Sequence, residues 1–366
     1  MSEFPVATLV ATLGFGLGIV FGATAHRANF CTMGAISDIV FMDDWVRFRA
    51  WMLATAVAII GSQTLYLTET VDLSQSIYLT TSLGWAGAII GGLMFGFGMT
   101  MTGGCGNKTL VRLGAGNLKS LVVAVVLGIF AYMTLRGLIG LARLELEGLT
   151  NIELEAFGMA AQGLPDILVA LGVPLEAARL VVVAGAAGGL LWFCFISPEF
   201  RASKTDVTGG LIIGLLVPAA WYVTGVIGHD DFDPTPLASF SFVAPVGEGL
   251  QYLMTFTGST ISFGVAVVGG IVTGAFFASK AAGEFRVESF TDANDMLRHI
   301  IGGAIMGTGG VMALGCTIGQ GITGMSTLAV GSVIALASIL LGGVFGMKYL
   351  EEGSFGGAFS AILARG

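Results

Sequence analysis

Apolar residues run along the chain in blocks of about twenty, divided by short polar or charged stretches. A helix of about twenty residues spans the roughly 30 Å hydrocarbon core of a bilayer. Nine blocks are long enough, near 6–24, 46–67, 83–102, 119–139, 178–197, 208–227, 259–279, 298–314 and 329–349. The short alternating segments of a membrane β-barrel are absent from the pattern. Three stretches of apolar and small residues, 29–40, 104–116 and 315–327, are too short to cross, and each holds one cysteine; a fourth, 240–254, holds none. The predicted class is an all-α integral membrane protein. It has about nine transmembrane helices plus short re-entrant helices, forming a single membrane domain.

Composition agrees. Of 366 residues, 55% are hydrophobic and 11% charged, against about 25% charged in soluble domains. Met1-Ser2-Glu3-Phe4-Pro5 has no basic segment, so the first block is expected to stay as a helix and not be cleaved as a signal peptide. No basic run points to nucleic acid. Cytoplasmic loops of membrane proteins collect Lys and Arg. With nine spans, Arg27, Arg47, Arg49, Lys108, Arg112, Lys119, Arg201, Lys204, Lys280, Arg286, Arg298, Lys348 and Arg365 fall on one side, and only Arg136, Arg143 and Arg179 on the other. The second side instead carries Glu69, Asp72, Glu145, Glu147, Glu153, Glu155, Asp230, Asp231 and Asp233. The expected orientation has the N-terminus outside and the C-terminus in the cytoplasm.

The chain also resembles itself. Gly91, Gly92, Gly96, Gly98, Met101, Gly104 and Cys105 recur 211 positions later as Gly302, Gly303, Gly307, Gly309, Met312, Gly315 and Cys316. Ser120 and Phe30 recur at 212 as Ser332 and Phe242, and Gly34 at 213 as Gly247. Helices 1–4 (1–140) and helices 6–9 (206–366) would be two repeats, joined by an external connector and helix 5 (141–205). One intervening helix inverts the second repeat, a plan that places a substrate site near the midplane between the halves.

Glycine series such as Gly14/Gly18/Gly22 and Gly303/Gly307 suit close helix packing in lipid. Gly103-Gly104-Cys105-Gly106 and Gly315-Cys316 instead stand where a helix should break. A half-helix start offers free N–H groups and a favourable dipole to an anion, and irregular backbone at this depth is tolerated where protein or a cavity surrounds it. Asn29-Phe30-Cys31-Thr32-Met33-Gly34, Gly104-Cys105-Gly106-Asn107 and Gly315-Cys316-Thr317-Ile318-Gly319-Gln320-Gly321 each set a thiol among small polar residues at such a break. A neutral thiol is a weak, polarisable donor, able to hold a soft sulfur anion and release it. Cys31, Cys105 and Cys316 are therefore the candidate substrate path. Thr32, Met33, Gly104, Gly106, Asn107, Gly315, Thr317, Gln320 and Thr323 are candidate lining. Cys194, inside Leu191-Trp192-Phe193-Cys194-Phe195-Ile196, reads as a small buried hydrophobe. Lys108 and Arg112 are explained by orientation, and His26 and His299 by the interface. The cysteine and histidine spacing fits neither a zinc site nor a disulfide framework, and no catalytic constellation or cofactor site is expected.

At these residues the sequence resembles the YeeE/YedE family of sulfur-compound transporters, whose best-understood members take up thiosulfate. The resemblance covers nearly the whole chain. It is carried by Phe30-Cys31, by Met101-Thr102-Gly103-Gly104-Cys105-Gly106 with Leu110-Val111-Arg112-Leu113-Gly114, by Ser241-Phe242-Val243-Ala244-Pro245-Val246-Gly247, and most specifically by Leu314-Gly315-Cys316-Thr317-Ile318-Gly319-Gln320-Gly321. It implies a nine-spanning fold in the bacterial inner membrane, with short helices dipping from both faces to give an hourglass-like interior. It also implies that Cys31, Cys105 and Cys316 pass thiosulfate inward by weak S–H contacts, beside a small cytoplasmic sulfur-carrier or sulfurtransferase protein. Transport of another sulfur or selenium compound, a membrane sensor subunit for a sulfur species, and a soft-metal transporter stay open as alternatives.

Overall fold

The computed structural model describes residues 5–230 and 235–363. Met1–Phe4, the loop residues Asp231, Phe232, Asp233 and Pro234, and Arg365 lie outside the described residues. The described chain is almost wholly helical. Its first half holds α1 (Val6–Arg27), α2 (Thr32–Met42), α3 (Val46–Leu67), α4 (Trp85–Met101), α5 (Gly106–Gly114), α6 (Leu118–Arg136), α7 (Leu138–Thr150) and α8 (Leu164–Ala170). The second half holds α9 (Leu175–Phe195), α10 (Pro198–Ala202), α11 (Lys204–Tyr222), α12 (Val243–Thr255), α13 (Phe263–Ala282), α14 (Ala293–Met312), α15 (Val330–Glu352) and α16 (Phe355–Leu363). Between α14 and α15, residues 317–326 are helical and π-wound over Gly319–Gly324.

Eight of the described helical stretches are long and apolar enough to cross a membrane. The remaining expected span, 298–314, corresponds to α14. Asp295, Arg298 and His299 lower the hydropathy of its start, and the helix packs between α4 and α6. The external connector has more structure than expected from its Glu-rich, proline-broken sequence. It contains most of α7, together with α8 and β2 (Ile152–Glu153), which pairs with β1 (Ser82–Leu83) ahead of α4.

Glycine sets the tightest packing. α1 lies against α13 because a Cβ on Gly18 would stand 2.4 Å from the Val267 carbonyl oxygen, and one on Gly22 2.2 Å from that of Ile271. α4 lies against α15 through Gly96, whose Cβ would stand 2.2 Å from the Ile339 oxygen. At the crossing of α4 and α14, a Cβ on Gly91 would stand 2.6 Å from the Gly309 oxygen and one on Gly98 2.7 Å from the Gly302 oxygen. An offset of 211 turns each of these contacts into the other. The helix pairs also come in matching couples: α1 with α13 as α11 with α3, and α4 with α15 as α14 with α6.

Candidate functional site

Each of the three cysteines follows the same kind of helix closure. α1, α4 and α14 all end with a residue in the left-handed region: Asn29 (φ 48°), Gly103 (φ 69°) and Leu314 (φ 57°). The next N–H reaches back five residues: Phe30 to the Ala25 oxygen at 3.0 Å, Gly104 to Met99 at 3.0 Å and Gly315 to Gly310 at 2.8 Å. This is the Schellman closure, which satisfies carbonyls a helix end would otherwise leave unpaired. The cysteine follows at once and stands directly before the next helical segment. Cys31 precedes α2, Cys105 precedes α5 and Cys316 precedes the 317–326 segment. All three are buried.

Two of the thiols take part in capping these helical segments. Cys31 Sγ accepts the Gly34 N–H at 3.5 Å, and Cys316 Sγ accepts the Gly319 N–H at 3.4 Å. A sulfur that accepts from the backbone keeps its own S–H proton free to donate. Cys105 has no such cap, and its Sγ lies 4.0 Å from Cys31 Sγ. The Thr317 side chain lies beside the Cys105 thiol, and the Phe242 backbone beside Cys316. The breaks from the two halves therefore converge.

The candidate lining residues divide into two groups. Thr32 Oγ1, Asn107 Oδ1 and Thr317 Oγ1 are buried without a hydrogen-bond partner of ordinary geometry. Each belongs to the first turn after one of the cysteines. A buried polar atom left unpaired costs about 1–3 kcal/mol, and each of these three follows a cysteine by one or two residues. Others are occupied. Gln320 donates to the Ala313 oxygen and accepts the Ser332 hydroxyl at 2.6 Å, and Thr323 donates to the Phe240 oxygen at 2.8 Å. Asn107 Nδ2 donates to the Phe30 oxygen at 2.9 Å, tying α5 to the first break. Met33 is half-buried against the core. Gly106 faces Phe242, with 3.9 Å between the Phe242 Cβ and a Cβ placed at the glycine; the same construction puts Gly104 3.2 Å from the Lys108 side chain and Gly315 3.2 Å from the Gln320 nitrogen.

Several contributors were not legible in the sequence. Phe21 stacks on Phe240 at 5.1 Å and meets Phe242 edge-on at 5.3 Å, and all three rings are fully buried. Trp51 packs on Gly321, where an added Cβ would stand 2.1 Å from its ring. Lys108 bonds Asn29 and stands close enough to Cys31 to act on it electrostatically. A phenylalanine in an apolar helix gives no sign of which face it serves. Lys108 was visible, but the orientation rule already accounted for it. Cys194 belongs elsewhere, donating its thiol to the Arg49 oxygen at 3.2 Å between α9 and α3.

A model of a family described as sulphur transport matches residues 27–345. The thiosulfate transporter TsuA of Escherichia coli (strain K12) is 27% identical over 331 residues, covering 84% of this chain and 86% of that protein. The thiosulfate transporter TsuA of Spirochaeta thermophila is 27% identical over 323 residues, covering 86% and 91%. A probable transporter YedE of Salmonella typhimurium is 32% identical over 100 residues, which is 27% of this chain and 22% of that protein.

Proposed function

The chain belongs to the sulphur-transport family, and on that premise we propose that it takes up thiosulfate, or a closely related small sulfur anion, across the bacterial inner membrane. Relatives named as thiosulfate transporters, similar over most of both chains, support the substrate class. The observation that carries the route is the repeated break at Cys31, Cys105 and Cys316, each with a helix start and, one or two residues after the cysteine, a buried side-chain oxygen without an ordinary partner.

The chemistry follows from that arrangement. A dianion leaving water needs compensation, and full positive charges would hold it too firmly to let it go. Helix N-termini supply partial positive charge at fixed positions. The thiols and the hydroxyls of Thr32 and Thr317 add weak donors along the way. The anion would meet Cys316 first and then the Cys105–Cys31 pair, trading one S–H contact for the next without a covalent bond. The two halves, 1–140 and 206–366, would act as inverted repeats about this path. The reciprocal glycine contacts of α4 and α14 support that reading. A small cytoplasmic sulfur-carrier or sulfurtransferase protein is the proposed recipient.

Uptake of labelled thiosulfate into proteoliposomes tests the function. The wild type is expected to accumulate label, in competition with unlabelled thiosulfate; a correctly inserted protein that moves none overturns the assignment. Cys31→Ala, Cys105→Ala and Cys316→Ala are each expected to lower uptake at least tenfold, and full activity in all three would remove the thiol route.

A further inference from the structure

Two outer cavities adjoin on the side that carries few cations. The first, of about 430 Å³, has Leu314 and Gly315 in its wall, directly before Cys316. The second, of about 440 Å³, is lined by Tyr132, Arg136, Glu248 and Gln251 among others. They share Leu135, Glu248, Thr260 and Ser262. The two cavities therefore adjoin across these shared residues, between the end of α6 and the break that holds Cys316.

Arg136 is the notable member of that wall. Of the three basic residues placed outside, Arg143 pairs with Glu147 at 2.8 Å and donates to the Thr134 oxygen at 3.1 Å. Arg179 lies 3.8 Å over the Tyr66 ring. Arg136 is exposed and makes no hydrogen bond or ion pair among the described residues. The same wall carries one carboxylate, Glu248, which accepts the Ser262 hydroxyl at 3.3 Å.

Resting on the transport reading above, we infer that Arg136 is the outer capture residue for the anion, with Glu248 as the opposing charge that keeps capture weak. The outer face is otherwise rich in acidic residues, so an arriving dianion meets repulsion except where a cation that no described residue pairs opens a local well. A guanidinium presents a planar fork of donors that matches the oxygens of a sulfonate-like group. Glu248, on the shared rim, limits how deep that well becomes, so the anion moves on toward Cys316. Neither residue is needed at the thiols. Their effect belongs to the encounter and is sensitive to ionic strength.

The test is initial-rate thiosulfate uptake at low and high salt for the wild type, Arg136→Gln, Arg136→Lys and Glu248→Gln. Arg136→Gln is expected to raise KM about tenfold with the maximal rate kept. Arg136→Lys should recover most of that loss, and Glu248→Gln should lower KM. The wild-type KM should rise with salt and that of Arg136→Gln should not. An Arg136→Gln protein with wild-type KM and salt dependence would reduce Arg136 to an interfacial anchor and overturn the inference while leaving transport intact. A wild-type KM indifferent to salt would overturn it without any variant. Absence of uptake by the wild type would instead overturn the transport reading.

Discussion

Cys31 Sγ lies 4.0 Å from Cys105 Sγ, although the residues are separated by 74 positions and belong to different helix breaks. A disulfide needs about 2.05 Å between the sulfurs, so the two are neighbours and not bonded. A thiol-oxidising diazene is expected to join them, removing two protons and two electrons as it becomes the hydrazine. Uptake by the wild type should then fall several-fold and return on adding dithiothreitol. Cys31→Ser should form no crosslink to Cys105, as read by thiol labelling and peptide mass before and after reduction.

Thr317 and Thr323 are both buried in the same segment, but their hydroxyls have different roles. Thr323 bonds the Phe240 carbonyl and Thr317 has no ordinary partner. Thr323→Val should lower the melting temperature in detergent, with a cost of about 1–3 kcal/mol. Thr317→Val should leave stability level or slightly raised while lowering thiosulfate uptake. Equal effects of both on melting would remove Thr317 from the proposed lining.

Leu314 holds a left-handed backbone at φ 57° where the matching break uses Gly103. Glycine adopts that region without a Cβ penalty. Leu314→Gly is expected to stabilise the protein by about 1 kcal/mol, measured by thermal unfolding in detergent. A marked loss of stability would mean that its side chain contributes more in the outer cavity wall than the backbone loses.

Gly22 and Gly16 are neighbours in sequence pattern but not in environment. A Cβ at Gly22 would stand 2.2 Å from a backbone oxygen of α13, whereas one at Gly16 meets nothing within 4 Å. Gly22→Val should prise α1 from α13 and cost 1–3 kcal/mol or more, on the order of other overpacked sites. Gly16→Ala should be neutral or slightly stabilising, since alanine favours helix over glycine. Heat-induced aggregation of the two variants separates the cases.

The proposed orientation is open to direct measurement. A phosphatase fused after the C-terminus should be inactive and a fluorescent reporter there bright. A phosphatase inserted at Gly148, which an added Cβ shows to stand in open space, should be active. The reverse pattern would invert the direction of the route.

Much of the architecture could be read from the chain because hydropathy directly reports contact with lipid. The break at Gly103-Gly104-Cys105 was legible for a local reason, since glycine permits the left-handed turn that ends α4. Asn29 is a similar signal, as asparagine tolerates that region. Leu314 gave none. Leucine disfavours φ above zero, and only the offset of 211 from Gly103 points to its conformation. The partners of Gln320, the stack of Phe21 on Phe240 and the open guanidinium of Arg136 depend on which distant helices meet. A single sequence does not state those pairings, and α7 was hidden because its leucines lie among glutamates.

The buried rings of Phe21, Phe240 and Phe242 have a bearing on how such a membrane stays energised. Hydronium and sodium travel along files of water, and three phenyl side chains offer neither oxygen ligands nor hydrogen-bonding groups to continue one. If the proposed route passes these rings, an occupant able to shed its hydration for sulfur and hydroxyl contacts would cross, while the ions that store the cell's electrical potential would be turned back. Selective entry and an insulated bilayer would then be two results of one cluster of aromatic side chains.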